Sequence, residues 1–279
     1  MIVDAHHHFW NPGRRQYPWM GDELAAIRRT FGPDDLRLQL AGNNVDRTIL
    51  VQTISSIEET REFLDTASRT DFIAGVVGWV DLTDPAITEV IAGLQGATGG
   101  DQLVGIRHQV HDEPDARWLL RDDVQRGIAA VGEARLVYDL LVRTRELPAA
   151  LTTIRAHPRV RFVLDHAAKP RIAQGVWDSA WEEALAPLGN EPNVTCKISG
   201  LVTEADWKSW SRDQLRPYVN RVLEWFGPDR CMFGSDWPVC LLAADYAEVI
   251  AAMREIVGVD DDVFGGTASR VYGLAGRAS

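Results

Sequence analysis

Three consecutive histidines lie near the start of the chain, directly after a short apolar segment. Residues 2–10 have the pattern of a β-strand, in which successive side chains point to opposite faces. We therefore expect Asp4, His6 and His8 to share one face of this strand, and His7 to lie on the other. Two imidazoles on one strand face can hold a single metal ion or a single polarised oxygen atom. The segment thus predicts a functional site rather than three surface histidines.

The overall composition is that of an ordinary globular protein, and its charge disfavours two classes of binding partner. Hydrophobic residues make up 46% and charged residues 25% of the 279 residues, and the formal net charge is −11. This acidic balance disfavours binding to nucleic acids and to anionic membranes. No apolar run reaches the roughly 20 residues of a membrane span, and because Asp4 and the histidines interrupt the first apolar residues, we expect no charged and apolar leader. The three cysteines, Cys196, Cys231 and Cys240, are odd in number and lie in or beside apolar segments, so we interpret them as reduced core thiols. We therefore expect a cytoplasmic protein.

Apolar segments of strand length alternate with segments of helix length along the chain. The predicted strands are residues 2–10, 47–52, 72–80, 103–108, 135–142, 160–166, 194–199 and 231–236. The predicted helices are residues 33–42, 56–69, 84–94, 119–131, 147–156, 176–188, 204–226 with a break near Pro217, 246–257 and 260–274. The long segment 11–33 is expected to form a flap over the site.

Eight such units predict an α/β protein with a (β/α)8 TIM barrel, folded as a single domain over residues 1–279. The near-continuous apolar character of the strands fits a parallel sheet that is buried on both faces. A doubly wound open sheet would carry a glycine-rich phosphate-binding turn after its first strand. Here the first strand ends in histidines followed by Phe-Trp-Asn-Pro, which favours the barrel.

Polar or aromatic side chains end nearly every predicted strand. They are His6 and His8, Gln52, Trp79 and Asp81, Arg107 and His108, Asp139, His166, Lys197 and Ser199, and Asp236. The active site of such a barrel lies at the carboxyl ends of its strands, so these side chains predict one composite site. Trp19 in the flap and Trp237 after the last strand are expected to lie beside it.

Three motifs resemble those of the amidohydrolase superfamily. They are Asp-Ala-His-x-His at residues 4–8, Leu-Asp-His at 164–166 with Lys169-Pro170 after it, and Met-Phe-Gly-Ser-Asp-Trp-Pro at 232–238. More narrowly, the chain resembles the branch of lactonases that open sugar lactones and pyrone-dicarboxylate lactones. The resemblance implies a hydrolase that acts on a carboxylic ester.

The resemblance also implies roles for four residues. His6 and His8 match the histidine pair of the first strand. His166 matches the histidine of the sixth strand, and Asp236 matches the aspartate that takes a proton from the attacking water. These four either hold at most one divalent metal ion, with zinc favoured, or act without metal, with the histidines donating to the carbonyl oxygen. A two-metal centre is not expected, because the fourth strand ends without a lysine and the fifth without a histidine.

The other polar and aromatic residues near the barrel mouth are candidates for substrate binding: Arg107, His108, Trp19, Trp79, Asp139, Lys197 and Trp237. Arg107 and His108 are neighbours on one strand, so only one of them can face the mouth. Lys197 is equally suited to pairing with a carboxylate inside the barrel. We expect Asp165 to point away from the mouth and residues 111–112 to be solvated.

The candidate residues favour a neutral polyol as substrate, because a pyrone dicarboxylate would need several arginines as bidentate donors. The strand ends offer Arg107, while Arg14 and Arg15 in the flap are either surface charges or further carboxylate ligands. The predicted substrate is therefore an aldonolactone such as fucono- or rhamnonolactone. The alternatives are a pyrone-dicarboxylate lactonase, a zinc-dependent decarboxylase of the same superfamily, and a non-catalytic barrel that binds a ligand. The oligomeric state stays open.

Overall fold

Eight parallel strands form a barrel in the computed structural model, which describes residues 1–274. The strands pair in chain order and are β1 Val3–His7, β2 Arg47–Val51, β3 Ile73–Gly78, β4 Leu103–His108, β5 Val137–Leu140, β6 Arg161–Leu164, β7 Val194–Ile198 and β8 Cys231–Phe233. The barrel closes where the amide of His8 donates to the carbonyl of Trp237 at 2.7 Å and the amide of Asp236 donates to the carbonyl of His6 at 2.8 Å. The predicted TIM barrel is confirmed; residues 275–279 of the predicted domain lie outside the described residues.

Helices follow the strands and pack on the outside of the barrel. They are α1 Pro33–Asn43, α2 Ile57–Ala67, α3 Ile87–Gln95, α4 Asp122–Glu133, α5 Leu147–Ala156, α6 Ser179–Leu185, α7 Leu201–Glu204, α8 Arg212–Phe226, α9 Tyr246–Val257 and α10 Thr267–Val271. The predicted helix 204–226 is wrong in extent. A new helix, α8, begins after Ser211, whose amide donates to Oε1 of Gln214 at 2.8 Å in a capping box, and Pro217 lies inside α8. No helix among the described residues is long and apolar enough to cross a membrane.

Most strands end earlier than predicted, and at two of them the early end changes the geometry of a predicted site residue. β6 ends at Leu164 and β8 at Phe233, whereas the sequence predicted strands up to residues 166 and 236. His166 and Asp236 adopt left-handed backbone conformations, with φ of 52° and 56°. Residues other than glycine rarely adopt this conformation, and when they do they concentrate at functional sites. The direction of these two side chains at the barrel mouth therefore does not follow from strand alternation.

The barrel interior has an apolar layer and a charged layer. The apolar layer consists of small and branched side chains from most strands: Val3, Ala5, Ile49, Val51, Val77, Val104, Val137, Val163 and Met232. Nearer the carboxyl ends of the strands lie four buried charged side chains, Arg107, Asp139, Asp165 and Lys197. The barrel mouth therefore lies above a layer of buried charged side chains.

The first strand does not alternate simply, because its pairing with β2 is irregular after Asp4. The carboxylate of Asp4 accepts hydrogen bonds from Oγ of Ser235 at 2.6 Å and from the hydroxyl of Tyr246 at 3.0 Å. His6 instead packs against His8, with ring centroids 4.9 Å apart. The predicted shared face is therefore found for His6 and His8 but is wrong for Asp4, which ties β1 to the segment after β8.

Candidate active site

Two histidines at the end of β1 meet an aspartate that follows β8. The Nε2 atoms of His6 and His8 are 3.2 Å apart. Oδ1 of Asp236 lies 3.3 Å from Nε2 of His8 and 3.8 Å from Nε2 of His6. His7 is turned away, with its Nε2 2.9 Å from Oγ1 of Thr48. The structure thus brings together the two histidines and the aspartate that the motifs singled out.

His166 joins this group from a left-handed turn. Residues 166–169 have φ of 52°, 47°, 58° and 56°, a conformation that costs roughly 1–2 kcal/mol per residue. Nε1 of Trp181 donates to the carbonyl of Ala167 at 2.7 Å and holds the turn. Nδ1 of His166 lies 2.8 Å from Oγ of Ser199, which orients the ring. We call His6, His8, His166 and Asp236 the His–Asp cluster.

The electrostatics of the cluster favour an ionised Asp236 carboxylate beside the neutral imidazoles of His6 and His166. Burial alone would raise the pKa of Asp236, but His166, His8 and His6 bring this pKa below its usual range. Burial lowers the pKa of His166 to about 4 and the pKa of His6 well below 6.5. At neutral pH the cluster therefore contains an anionic proton acceptor beside the neutral imidazoles of His6 and His166, each of which has one donor and one acceptor nitrogen.

A cavity of about 170 Å³ opens at the cluster. Its lining consists of His8, Trp19, Thr53, Arg107, Gln109, His111, Asp112, Leu141, His166, Lys169, Asp236 and Val239. Apolar side chains and convergent polar groups are the usual lining of a site for a small organic ligand. The cavity is therefore the candidate active site.

Comparison with known protein families agrees with the motifs and the geometry. The amidohydrolase family model matches residues 3–274. The chain belongs to the amidohydrolase family. The predicted superfamily is confirmed, and with it the prediction of a hydrolase rather than a non-catalytic barrel.

Two curated relatives cover nearly all of this amidohydrolase. The L-fucono-1,5-lactonase of Burkholderia ambifaria is 43% identical over 281 residues, which cover 97% of this chain and 94% of the relative. The L-fucono-1,5-lactonase of Burkholderia multivorans is 39% identical over 287 residues, with 98% and 96% covered. A crystal structure of an amidohydrolase from Burkholderia multivorans with bound HEPES is 37% identical, covers 98% of this chain and 99% of that chain, and has a TM-score of 0.93. A second crystal form, with bound zinc, has a TM-score of 0.92.

The structure places two of the predicted substrate-binding residues, Trp19 and Arg107, in the lining of the cavity. The other five do not line it: Trp79, His108, Asp139, Lys197 and Trp237. Nδ1 of His108 accepts a hydrogen bond from Nε1 of Trp79 at 3.0 Å, and its ring stacks on Trp118 at 4.3 Å. Arg107 takes the inward position on β4, so His108 and Trp79 pack together away from the cavity.

The remaining three predicted binding residues are covered by other side chains. Nζ of Lys197 lies 2.6 Å from Oδ2 of Asp139, and both side chains are fully buried beneath the cavity. The ring of Trp237 packs edge-on against Phe9 and Phe31, with centroids 6.2 and 5.2 Å away. A position near a strand end is therefore not sufficient for contact with a ligand, because a layer of side chains lies above it.

The cavity also contains polar residues that the sequence did not single out for binding. Asp112 is exposed, as predicted for residues 111–112, although it lines the cavity. The prediction is wrong for His111, which is largely covered because the segment after β4 folds back and the amide of His111 donates to the carbonyl of Leu141 at 3.2 Å. Lys169 reaches the cavity with its Nζ bonded to Oε1 of Glu204 at 2.9 Å. Its place three residues after the Leu-Asp-His motif was the signal that could have identified it.

The prediction that Asp165 points away from the mouth is also wrong. Oδ2 of Asp165 accepts a hydrogen bond from Nη1 of Arg107 at 2.9 Å inside the barrel. Because β6 ends at Leu164, strand alternation no longer applies to the two residues that follow it. Asp165 and its neighbour His166 can therefore both face inward.

The segment before α1 covers one side of the cavity through Trp19, as expected for a flap. Arg14 is exposed, and Nη2 of Arg15 lies 3.1 Å from Oε2 of Glu62 on α2. Neither arginine lines the cavity. The flap therefore presents an aromatic face to the cavity, and its arginines are engaged or solvated.

The residues of the His–Asp cluster fit a single metal ion. One ligand atom each from His6, His166 and Asp236 lie within 4.8 Å of one another. Nε2 of His8 is close to two of these residues. Imidazole nitrogen and carboxylate oxygen are common zinc ligands. Among the described residues, this is the one group of this kind.

Acid should destabilise the protein through His111. Burial, together with the charges of Lys169 and Arg143, lowers the pKa of His111 to about 3, whereas its ordinary value is 6.5. The unfolded chain therefore binds a proton below pH 6.5 that the folded chain does not, so stability is lost as the pH falls. Between pH 7 and pH 5 this residue should remove about 2 kcal/mol from the free energy of unfolding.

Urea titrations of the wild type and of His111→Gln at both pH values measure this effect. Buried carboxyl groups with raised pKa values, such as Asp139, work in the opposite direction, so the informative quantity is the difference between the two proteins. The wild type should lose more stability than the variant. Equal pH dependence of the two proteins would contradict the prediction.

Proposed function

We propose that this amidohydrolase hydrolyses a lactone of a six-carbon sugar acid, with L-fucono-1,5-lactone as the first candidate. The observation that carries the proposal is the identity of 43% and 39%, over nearly the full length, to two L-fucono-1,5-lactonases. The cavity supports it, because Gln109, Asp112 and Lys169 offer donors and acceptors for sugar hydroxyls. The arginine of the lining, Arg107, is already bonded to Asp165, which disfavours a dicarboxylate substrate.

In the proposed reaction, Asp236 acts as the general base. Its carboxylate removes a proton from a water molecule as the water oxygen attacks the lactone carbonyl carbon. The bond between this carbon and the ring oxygen then breaks, and the proton on Asp236 passes to the ring oxygen. The product is the open-chain hydroxy acid. The lowered pKa of Asp236 keeps the carboxylate ionised, and so free of a proton of its own, at neutral pH.

The carbonyl oxygen gains negative charge during the attack, so the site must supply positive or hydrogen-bond-donating groups. His166 lines the cavity and can donate from its ring, and the guanidinium of Arg107 adds positive charge beside Asp236. Nδ1 of His8 lies 2.7 Å from the carbonyl of Val51, so its Nε2 accepts rather than donates. A divalent ion held by the His–Asp cluster would, when bound, polarise the carbonyl and lower the pKa of a water molecule. Lys169, held by Glu204, is placed to bind a substrate hydroxyl.

A panel of lactones tests the proposal. The purified protein should release acid from L-fucono-1,5-lactone, measured with a pH indicator and corrected for spontaneous hydrolysis in a blank without protein. The rates with rhamnonolactone and other aldonolactones show the stereochemical preference of the enzyme. The rate with 2-pyrone-4,6-dicarboxylate tests the alternative substrate class. Activity on the dicarboxylate alone would refute the proposal. Release of CO₂ from a hydroxybenzoate, without hydrolysis of any lactone, would refute it as well.

Metal analysis should give at most one zinc ion per chain. The described residues offer one cluster with suitable ligands, and the ends of β4 and β5 contribute Arg107 and Asp139, which are bonded to other side chains. Elemental analysis of the protein after zinc loading and dialysis measures the stoichiometry. Two tightly bound ions per chain would contradict this prediction, and an Asp236→Asn variant should retain less zinc than the wild type.

A further inference from the structure

Four buried charges beneath the His–Asp cluster balance one another. Nζ of Lys197 lies 2.6 Å from Oδ2 of Asp139 and 3.0 Å from Oδ1 of Asp165. Nη1 of Arg107 donates to Oδ2 of Asp165 at 2.9 Å. All four side chains are buried. We call these residues the charged quartet; with two cations and two anions it is neutral, and His6 lies directly on it.

The two ring nitrogens of His6 have different neighbours. Nδ1 faces the quartet, 3.3 Å from Oδ1 of Asp165 and 3.2 Å from Nζ of Lys197. Nε2 faces the cluster, 3.2 Å from Nε2 of His8 and 3.3 Å from Nη1 of Arg107. A neutral imidazole carries one ring proton, and the nitrogen that carries it decides whether Nε2 can donate or accept.

Two neighbours of His6 have a fixed hydrogen-bonding role, because one can only accept and the other can only donate. The carboxylate of Asp165, paired with two cations, can only accept, and it lies at Nδ1. The guanidinium of Arg107 can only donate, and it lies at Nε2. Both favour a proton on Nδ1 and a lone pair on Nε2.

Lys197 is the neighbour that would favour the other tautomer, because it is a donor near Nδ1. Its Nζ donates to Oδ2 of Asp139 at 2.6 Å, whereas Nδ1 of His6 is 3.2 Å away, and a hydrogen bond between charged partners is stronger than one to a neutral imidazole. Oδ1 of Asp165 is also a buried oxygen without a well-formed hydrogen bond among the described residues. A proton on Nδ1 of His6 would supply that bond.

We propose that Asp165 is a positioning residue that sets the tautomer of His6, by accepting the Nδ1 proton so that Nε2 presents its lone pair to the cluster. His6 can then bind a metal ion or accept a hydrogen bond, but it does not donate to the carbonyl oxygen, a task left to His166 and to the positive charge of Arg107. The catalytic part of this inference rests on the proposed lactone hydrolysis. The tautomer itself is a property of the protein without substrate.

Long-range ¹H–¹⁵N correlation spectra of metal-free, ¹⁵N-histidine-labelled protein test the proposal. Signals of His6 are identified by their loss in His6→Gln, and they should show a protonated Nδ1 and an unprotonated Nε2. In Asp165→Asn, the amide group can donate to Nδ1, so His6 should convert to the tautomer with the proton on Nε2. In the same variant kcat for the lactone should fall about 10–100-fold, as for other residues that orient a functional histidine.

Asp139→Asn is the matched control. It removes the same charge from the same quartet and the same contact with Lys197, but Asp139 accepts from the hydroxyl of Tyr272 at 2.8 Å rather than from His6. The tautomer of His6 should not change in this variant. A wild-type spectrum with the proton on Nε2 would overturn the proposal, even if Asp165→Asn failed to fold.

An unchanged His6 spectrum in folded Asp165→Asn would overturn the proposal as well. The spectra need neither substrate nor metal. A protein that shows the expected tautomer but hydrolyses no lactone would therefore refute the proposed function and leave the role of Asp165 in setting the tautomer supported.

Discussion

Asp236→Asn should lower kcat for lactone hydrolysis by about 10²–10⁴-fold, the usual contribution of a general base. The amide has nearly the shape of the carboxylate but cannot take a proton from water. Position 236 has a φ of 56°, and asparagine tolerates this left-handed conformation well, so the fold should persist. Initial rates of acid release measure the effect, and urea unfolding of the variant verifies that it is folded.

Asp71→Asn is the control for this variant. Asp71 precedes β3 at the opposite end of the barrel, is largely exposed, and pairs with Arg37 at 2.8 Å. Its replacement removes one carboxylate without touching the cavity, so kcat should stay at the wild-type value. Near-normal turnover in folded Asp236→Asn would rule out Asp236 as the general base.

Gly200→Ala should lower kcat/KM by about 10²-fold, because a displacement of about 1 Å in a catalytic group can cost that much. A Cβ at this position would lie 2.6 Å from Nδ1 of His166 and 3.0 Å from Oδ2 of Asp236. Neither distance is compatible with the present positions of the two side chains. Gly200 also has a φ of 63°, so alanine adds a backbone cost of roughly 1–2 kcal/mol.

Gly175→Ala is the control that separates the backbone cost of Gly200→Ala from its contact with His166 and Asp236. Gly175 has a φ of 69°, close to that of Gly200, but a Cβ there would meet nothing within 4 Å. Both variants should lose similar stability in urea unfolding, and only Gly200→Ala should lose activity. An equal loss of kcat/KM in the two variants would show that backbone strain, rather than contact with His166 and Asp236, is responsible.

The order of elements was predictable because its signals are local. Apolar strand segments and amphipathic helix segments alternate with little ambiguity, and the predicted strand 103–108 and helices 147–156 and 246–257 agree with β4, α5 and α9. Errors occurred where a specific contact overrides the pattern. The capping box at Ser211 begins α8, and the left-handed residues His166 and Asp236 end β6 and β8 earlier than their apolar sequences indicate.

Within the site, the motifs were sufficient to select the four residues that the structure brings together. They were not sufficient for the substrate-binding residues, of which Trp19 and Arg107 reach the cavity while others are covered. The depth of a side chain inside a barrel depends on strand register and on the layers above it, and neither can be read from one strand alone.

The histidines of the first strand show most clearly what the sequence determined and what only the tertiary structure decided. Their spacing, together with the Leu-Asp-His and Gly-Ser-Asp motifs, was enough to predict an amidohydrolase barrel with His6 and His8 at its mouth. Motifs and strand alternation are properties of short segments, so they can be read from the sequence. Only the folded chain decided what faces the far side of the His6 ring. Asp165 follows β6 and Lys197 lies on β7, both far from His6 in the chain, and they meet Nδ1 of His6 because the barrel closes and brings the last strands round to β1.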